Sequence, residues 1–347
     1  MDKKNNVQIL EATLREGGLG LEDSYKGGYA TDVLSQDFIN GVRKSLIHSG
    51  VDIIELGSIH PSTEDDRRFA IYHNVEEISE TLCGERKPNQ LYVGMYKGPD
   101  TDVNLIPSWN PSFIDGVRVI LRYSELQKSL DYCAALADKG YKVFVQPMLT
   151  LRYTEAELNN VIDTANRIKA YALYFVDSYG YMQPKDVEHL FDYYDKRLDK
   201  EVRIGFHAHN NMNLAYSNVM HFLNIPSDRL CIIDTTAQGI GQGAGNLQSE
   251  LIIPYLNNVY GKDYNFDYIL DVCELLDKEF GEQSLWGYST TRMLPALYKT
   301  AYKFALCLRK KYHLSYREIK HILENMPDDM RHRFTPQDAA KLIEMFK

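Results

Sequence analysis

The sequence predicts an α/β fold of the (β/α)8 or TIM-barrel type with a C-terminal helical appendage. Short apolar runs alternate with longer segments of helical periodicity over about the first three quarters of the 347 residues. Eight such runs can be counted. Alternation with connections of crossover length predicts a parallel sheet, and a count of eight favours closure into a barrel. Beyond residue 260 only helical patterns remain.

The predicted strands share a short apolar stretch bounded by polar or turn-forming residues. They span residues 7–12, 52–56, 91–95, 117–121, 142–146, 172–176, 203–207 and 230–234. Helical periodicity follows most of them, at residues 37–49, 64–81, 124–139, 155–169, 184–198, 213–223 and 246–260. The third unit is the weakest, because residues 98–113 contain three prolines and are predicted to form a loop.

The C-terminal region contains four further helical patterns, at residues 266–280, 292–311, 315–324 and 336–346. We therefore divide the chain into a barrel domain, residues 1–262, and a helical region, residues 263–347. Residues 17–29 read G-G-L-G-L-E-D-S-Y-K-G-G-Y. A glycine-rich segment of this length after the first strand predicts a mobile lid beside the barrel mouth.

Composition excludes several classes of partner. Lys and Arg total 39 and Asp and Glu total 48, a net charge of −9. Since no basic run stands out, nucleic acid is not an expected partner. The longest apolar stretches are far shorter than the ~20 residues of a membrane span, and M-D-K-K-N-N lacks a signal-peptide core, so we expect no membrane association and a cytoplasmic location. Five cysteines without a C-x-x-C pair predict reduced thiols.

The stretch F-H-A-H-N-N at residues 206–211 points to a metal site. Side chains two residues apart in a strand lie on the same face, so His207 and His209 are expected side by side. Asn210 and Asn211 are turn formers that end the strand. Histidines in such a pair, taken alone, are more often structural or exposed than metal ligands.

Polar residues also follow the other predicted strands, where a barrel places its active site. They are Arg15 and Glu16 after the first strand, Glu55 and Ser58 at the second, Gln146 at the fifth, Asp177 and Ser178 at the sixth, and residues 234–238 at the eighth. Each has an ordinary alternative: Arg15 and Glu16 can form a simple ion pair, Glu55 can neutralise Arg15, and the glycines of G-I-G-Q-G-A-G-N can cap a helix. Their convergence on one rim favours a site, since buried ionisable groups are costly without partners or a metal.

Imidazoles with carboxylate and amide oxygens suit Mg²⁺, Mn²⁺ or Zn²⁺, and no thiolate demands zinc. Open coordination positions would accept the keto and carboxylate oxygens of a 2-oxo acid. The metal would polarise that substrate, and Arg15 is the natural cation to share the developing enolate charge.

Four ordered stretches resemble the DRE-TIM metallolyase (HMG-CoA lyase-like) superfamily. They are E-A-T-L-R-E-G-G, V-D-I-I-E-L-G-S, F-H-A-H-N-N-M-N-L-A-Y-S-N and D-T-T-A-Q-G-I-G-Q-G-A-G-N-L-Q-S-E. The resemblance spans residues 7–262 and is greatest to the branch of 4-hydroxy-2-oxovalerate aldolase-like proteins, with W-G-Y at residues 286–288 as a further similarity. It implies a TIM barrel that uses a divalent metal to make or break a carbon–carbon bond next to a carbonyl.

The resemblance also implies individual roles. Arg15 matches the arginine that stabilises the enolate, Glu55 the glutamate that orients this arginine, and Tyr288 a tyrosine of the substrate pocket. The implied metal-site residues are Glu16, His207, His209 and Asn246.

The chain departs from the family pattern at two positions. Glu16 stands where the family nearly always has aspartate, and the extra methylene moves the carboxylate by about 1.5 Å unless the backbone retreats. The aldolases also carry an acid/base histidine just after this motif, where the chain has Gly17-Gly18-Leu19-Gly20. The general base is therefore unassigned among Tyr25, Tyr29, Tyr123, Asp177 and a metal-bound water.

The leading functional hypothesis is a metal-dependent lyase that performs aldol or retro-aldol chemistry on a small 2-oxo acid, with Mn²⁺ or Mg²⁺, or alternatively Zn²⁺, as cofactor. One alternative is Claisen-type acyl transfer from acetyl-CoA to a 2-oxo acid. Another is a binding or scaffold protein that has lost catalysis. A homo-oligomer or a partner enzyme is compatible with each hypothesis.

Overall fold

The computed structural model describes residues 6–28, 31–60, 66–82, 84–281 and 286–346 and contains one parallel sheet. Its strands are β1 (Val7–Glu11), β2 (Ile53–Ile59), β3 (Ile71–Tyr72), β4 (Leu91–Tyr96), β5 (Gly116–Leu121), β6 (Lys142–Pro147), β7 (Ala172–Asp177), β8 (Arg203–Ala208) and β9 (Cys231–Thr235). The order is β1-β9-β8-β7-β6-β5-β4-β2-β3, and β1 also pairs with β2. This pairing closes eight strands into a barrel and leaves β3 beside the end of β2. The predicted TIM barrel and its eight strands are confirmed.

The strands alternate between two apolar surfaces, as a period of two requires. A small apolar cluster fills the barrel interior. It includes Leu10, Ile53, Val93, Phe144 and Ile232. Their neighbours along each strand belong to a much larger cluster that packs the outside of the barrel against the helices. Every strand is therefore buried on both faces, which is typical of parallel sheets.

Within the described residues, nine α-helices accompany the barrel. They are α1 (Thr13–Lys26), α2 (Gln36–Ser49), α3 (Val75–Glu80), α4 (Leu126–Asp138), α5 (Glu155–Arg167), α6 (Pro184–Asp195), α7 (Ala215–Asn224), α8 (Ser249–Tyr260) and α9 (Phe266–Phe280). Side-chain caps define several of their starts, such as Ser35 on α2 and the capping box of Thr154 and Glu157 on α5. Residues 98–113 form a loop with one short 3₁₀ turn, as predicted.

Two predicted elements are wrong. The glycine-rich segment that predicted a lid is mostly α1, because glycine is tolerated inside a helix whose neighbours pack closely against it. The predicted helix 64–81 begins partly outside the described residues and otherwise contains a 3₁₀ turn (Asp66–Phe69), β3 and the short helix α3. Ala70, at φ 50°, interrupts helical geometry there.

The C-terminal region is helical, as predicted. It contains α10 (Thr290–Leu297), α11 (Lys303–Lys310), α12 (Tyr316–Glu324) and α13 (Pro336–Phe346). The single predicted helix 292–311 is divided into α10 and α11 because Lys299 adopts φ 54°, which ends the first of them.

The packing of the C-terminal half changes after α9. Val272 and Leu276 of α9 join the large barrel cluster, whereas Phe304 and Leu308 of α11 belong to a separate core formed by α10–α13. The domain boundary between residues 262 and 263 stays a prediction. No helix within the described ranges combines the length and apolar composition needed to cross a membrane.

Candidate metal site and active site

The junction of β1 and α1 places the first two functional side chains. The buried Glu11 carboxylate accepts hydrogen bonds from the backbone N–H of Thr13 at 3.0 Å, the Thr13 hydroxyl at 2.6 Å and the Ser249 hydroxyl at 3.1 Å. Burial raises the pKa of Glu11 to about 7. These hydrogen bonds to Glu11 fix the start of α1 at Thr13. Arg15 and Glu16 therefore lie buried in its first turn.

Close packing then fixes the position of α1. A Cβ at Gly18 would overlap the backbone carbonyl of Phe69, and one at Gly20 would lie 3.0 Å from the backbone carbon of Gly241. Both approaches are possible only because these positions carry no side chain. The glycines thus hold the helix that carries Glu16 between the turn after β2 and the loop after β9.

Three side chains form a cluster able to hold a metal ion. One ligand atom from each of Glu16, His207 and His209 lies within 4.8 Å of the others, and all three residues are buried. The His207 Nε2 atom is 3.1 Å from His209 Nε2 and 3.1 Å from Glu16 Oε1. His207 is in β8 and His209 directly follows it, so the i, i+2 spacing brings both imidazoles to one place as expected.

The electrostatics of the cluster favour the deprotonated forms of Glu16 and His209. Burial would raise the pKa of Glu16, but the adjacent Arg15 guanidinium and the two histidines hold it well below its usual range. Burial and the neighbouring His207 lower the pKa of His209 to about 4, so this imidazole is neutral at pH 7. Burial also opposes the charged form of His207, yet Asp234 and Glu16 raise its pKa.

Asn246 is placed beside this cluster by a backbone bridge to His209. Its Nδ2 donates to the Ile240 carbonyl at 3.0 Å, while its buried Oδ1 has no hydrogen-bond partner among the described residues. A Cβ at Gly241 would touch the Asn246 amide and lie 3.3 Å from Glu16 Oε2. Because buried polar atoms are usually satisfied, the unpaired Oδ1 fits a fourth oxygen or nitrogen donor for a divalent ion.

Arg15 lies between the metal cluster and Glu55. Its Nε donates to Glu55 Oε2 at 2.8 Å, and its Nη1 pairs with the Glu16 carboxylate. The side chain is only 4 % exposed and lines the pocket described below. A guanidinium held by two carboxylates keeps a fixed orientation. The orienting role that the resemblance implies for Glu55 stays a prediction.

Arg118 is a functional candidate that the sequence reasoning missed. It lies in the middle of β5, fully buried in the barrel interior. Its Nη1 donates to Glu55 Oε2 at 2.5 Å and its Nη2 to the Asp234 carboxylate, which in turn bonds His207 Nδ1 at 2.8 Å. The available signal was a charged residue between valines in an otherwise apolar strand, since a buried charge requires partners.

A pocket above these residues encloses about 460 Å³ of empty volume, including the open space at its mouth. One part of its wall is polar and contains Arg15, Gln146 and His209, and another is apolar. The apolar lining residues are Leu19, Met95, Ile120, Met148 and Val176. Gln146 is 3 % exposed, and its Nε2 has no hydrogen-bond partner within the described part of the chain.

Other predicted site residues lie elsewhere. Tyr288 is 58 % exposed and is not among the residues that line this pocket. Tyr25 is at the surface near Arg68, Tyr123 donates to Glu157, and Asp177 accepts backbone N–H groups of the following loop. Tyr29 lies outside the described residues. Of the base candidates that are described, none lines the pocket.

The fold and the site together define a TIM barrel with a carboxylate–imidazole metal-binding cluster at the carboxyl ends of its strands. Residues 6–277 match the family model described as HMGL-like, and the chain belongs to this family. This assignment confirms the resemblance to the DRE-TIM metallolyases.

Individual relatives are distant. The chain is 27% identical over 277 residues to a 4-hydroxy-2-oxovalerate aldolase of Serratia proteamaculans (strain 568), covering 79% of this chain and 78% of that protein. Among solved structures, it resembles a hydroxymethylglutaryl-CoA lyase from Pseudomonas aeruginosa with a TM-score of 0.62 and 16% identity, over 82% of this chain and 96% of that one. It also resembles the carboxyl transferase domain of Rhizobium etli pyruvate carboxylase, with a TM-score of 0.67 and 14% identity, over 99% of this chain and 61% of that one. At these identities the structural likeness shows the fold alone.

Proposed function

We propose that the protein is a divalent-metal-dependent carbon–carbon lyase that cleaves a 4-hydroxy-2-oxo acid into pyruvate and an aldehyde. One observation carries the proposal: Arg15 lies in a pocket beside Glu16, His207 and His209, held in place by Glu55. The names of the curated relatives support the same reaction class.

The donor set fits Mn²⁺ or Mg²⁺, with Zn²⁺ as an alternative, because it combines imidazole nitrogens with carboxylate and amide oxygens. Glu16, His207 and His209 would hold the ion, with Asn246 as a further donor. A bound divalent ion supplies Lewis-acid polarisation of the substrate carbonyl.

The chain's own side chains would then orient the substrate and stabilise charge. In the cleavage, the bond between C3 and C4 breaks and its electron pair moves toward the C2 carbonyl oxygen, giving an enolate. Arg15 would donate to that oxygen, in a buried site where a fixed cation is most effective. The unpaired Nε2–H of Gln146 would bind a substrate carboxylate oxygen.

Leu19 bears on proton transfer because it lines the pocket and belongs to the stretch, residues 17–20, that stands where the aldolases carry their acid/base histidine. A leucine cannot accept the proton of the 4-hydroxyl group. We infer that water in the pocket accepts this proton and returns it to C3 of the enolate before pyruvate leaves. Together with four other apolar side chains, Leu19 favours a substrate whose aldehyde half is apolar.

The test measures both Mn²⁺ binding and the release of pyruvate. Mn²⁺ should raise the melting temperature of the protein, since a ligand bound only by the folded state stabilises it. Pyruvate should be released from one or more 4-hydroxy-2-oxo acids with apolar tails. His207→Ala and His209→Ala should abolish Mn²⁺ binding, whereas Arg15→Ala should retain Mn²⁺ and lose turnover.

Arg197→Ala is the matched control, because Arg197 lies on the outer surface against Tyr193. It should leave binding and turnover unchanged. Unchanged pyruvate release by Arg15→Ala would overturn the proposed role of the arginine.

Release of free CoA on incubation with acetyl-CoA and 2-oxo acids would indicate acyl transfer instead. A protein that binds no divalent metal and cleaves no substrate would indicate a scaffold. The cytoplasmic location and association with itself or a partner enzyme stay predictions.

A further inference from the structure

We propose that Arg118 is a positioning residue that couples the metal ligand His207 to the enolate-stabilising Arg15 through the interior of the barrel. The inference rests on the metal site of the proposed function, but it does not depend on which substrate is cleaved. Arg118 itself touches neither the pocket nor the metal cluster among the described contacts. It acts through the two carboxylates that it holds.

Six side chains form a closed ring in which acidic and basic groups alternate. In order they are Glu16, Arg15, Glu55, Arg118, Asp234 and His207, with His207 returning to Glu16. All six residues are buried. The ring contains two of the proposed metal ligands, Glu16 and His207, together with the enolate-stabilising cation. Arg118 lies opposite Glu16 in it.

Each carboxylate next to Arg118 serves two partners with the same oxygen. Glu55 Oε2 accepts from both Arg15 Nε and Arg118 Nη1, at 2.8 and 2.5 Å. Asp234 Oδ2 accepts from Arg118 and from His207 Nδ1. The position of either carboxylate therefore depends on Arg118. Such hydrogen bonds to the second nitrogen of a ligating histidine fix its ring and its tautomer.

The geometry matches the planar fork of an arginine. The planar guanidinium presents separate N–H groups to Glu55 and Asp234, while its face lies 5.0 Å from the Tyr174 ring centre. A lysine carries the same charge on a single nitrogen and lacks the planar fork that presents separate N–H groups to the two carboxylates, so it is not an equivalent replacement. Removing the charge would leave two buried carboxylates without their shared cation, which is strongly destabilising.

The experiment measures Mn²⁺ affinity in the absence of substrate, by electron paramagnetic resonance and titration calorimetry, on Arg118→Lys and Arg118→Met. Both should bind Mn²⁺ more weakly, Arg118→Met by about 10–100-fold and Arg118→Lys by less. Where a 4-hydroxy-2-oxo acid is cleaved, Arg118→Lys should lower kcat with little change in KM, because it disturbs Arg15 and His207 without removing a substrate contact.

Arg229→Met is the matched control. Arg229 is also buried and paired with a carboxylate, Asp195, but it lies before β9, at the opposite end of the strands from the site. Its loss should lower stability and leave Mn²⁺ affinity unchanged. If Arg118→Met fails to fold, Arg118→Lys decides the question.

Wild-type Mn²⁺ affinity in the folded Arg118 variants would overturn the positioning role, as would an equal loss in Arg229→Met. Absence of Mn²⁺ binding by the wild-type protein would overturn both this inference and the metal site. Normal Mn²⁺ binding without cleavage of any 4-hydroxy-2-oxo acid would overturn only the proposed reaction.

Discussion

Glu16 shows how one methylene is accommodated at the candidate metal site. The longer side chain starts from the first turn of α1 and still brings Oε1 to 3.1 Å from His207 Nε2. The helix cannot move sideways to compensate for a change in length, because Gly18 and Gly20 already allow the closest possible approach of its neighbours. The longer side chain of Glu16 therefore reaches the histidines from a helix whose position is fixed by close packing.

Glu16→Asp should weaken Mn²⁺ binding by about tenfold or more, because the carboxylate would retreat by about 1.5 Å from the histidines. Titration of the purified protein with Mn²⁺ measures the change. Glu22→Asp is the control, since Glu22 is also buried in α1 but pairs with Lys26 and Lys97. Equal or tighter Mn²⁺ binding by Glu16→Asp would contradict this account of the site.

At the scale of elements, α1 is the clearest case of tertiary packing overriding composition. Three glycines within four positions, 17, 18 and 20, favour a loop by intrinsic propensity. The helix forms because its anchor at Glu11 and its close contacts with Phe69 and Gly241 outweigh that preference. The same contacts place Arg15 and Glu16 on the rim.

Gly18→Ala should destabilise the protein by about 1–3 kcal/mol or more, because the added Cβ overlaps a backbone carbonyl that cannot move freely. Urea unfolding measures the loss. Gly41→Ala is a matched control inside α2, where the new Cβ meets only the movable Leu275 side chain and helix propensity improves. If Gly18→Ala were as stable as Gly41→Ala, the close approach of α1 to Phe69 would be wrong.

At the scale of the whole molecule, the C-terminal helices are tied to the rim that carries the site. Trp286 Nε1 donates to the Gln238 carbonyl at 2.8 Å, and Lys303 pairs with Asp23 of α1 at 2.8 Å. Asp23 also accepts from Gln242, which lines the pocket, at 2.5 Å. The helical region thus contacts both α1 and the loop after β9.

Stability of the whole molecule should depend on pH through Glu11. Its pKa is raised in the folded state from 4.5 to about 7 by burial, so the folded protein binds this proton more tightly than the unfolded chain. The associated stability is fully present below pH 4.5 and is lost as pH rises through about 7. Asp177, whose pKa burial also raises to about 7, contributes with the same sign.

In metal-free buffer, Glu11 should make the free energy of unfolding fall by at most ~1.4 kcal/mol per pH unit between about pH 5 and 7, whereas His209, whose pKa is lowered to about 4, contributes with the opposite sign up to about pH 6.5. Glu11→Gln should reduce this slope. Glu22→Gln should not, because Lys97 and Lys26 lower the pKa of Glu22 against the opposing effect of burial. Denaturant titrations at several pH values measure the slope, and an unchanged slope in Glu11→Gln would contradict the assignment.

Local sequence patterns were enough to predict the barrel and much of its rim. Apolar runs bounded by turn formers located all eight barrel strands, because burial on both faces leaves a plain local pattern. The spacing of His207 and His209 predicted their proximity for the same reason, since the period of a strand is fixed by backbone geometry. Their positions at predicted strand ends placed Arg15, Glu16 and Glu55 in the same region, and the resemblance added Asn246.

The contacts between residues far apart in the chain follow from the tertiary structure. It brought Arg118 between Glu55 and Asp234, residues 63 and 116 positions away in the chain. It turned the predicted lid into α1 and left Tyr288 exposed. A local sequence pattern indicates whether a segment is buried and which secondary structure it forms. The pairing of buried charges and the close approach of a glycine-rich helix depend instead on the closure of the barrel.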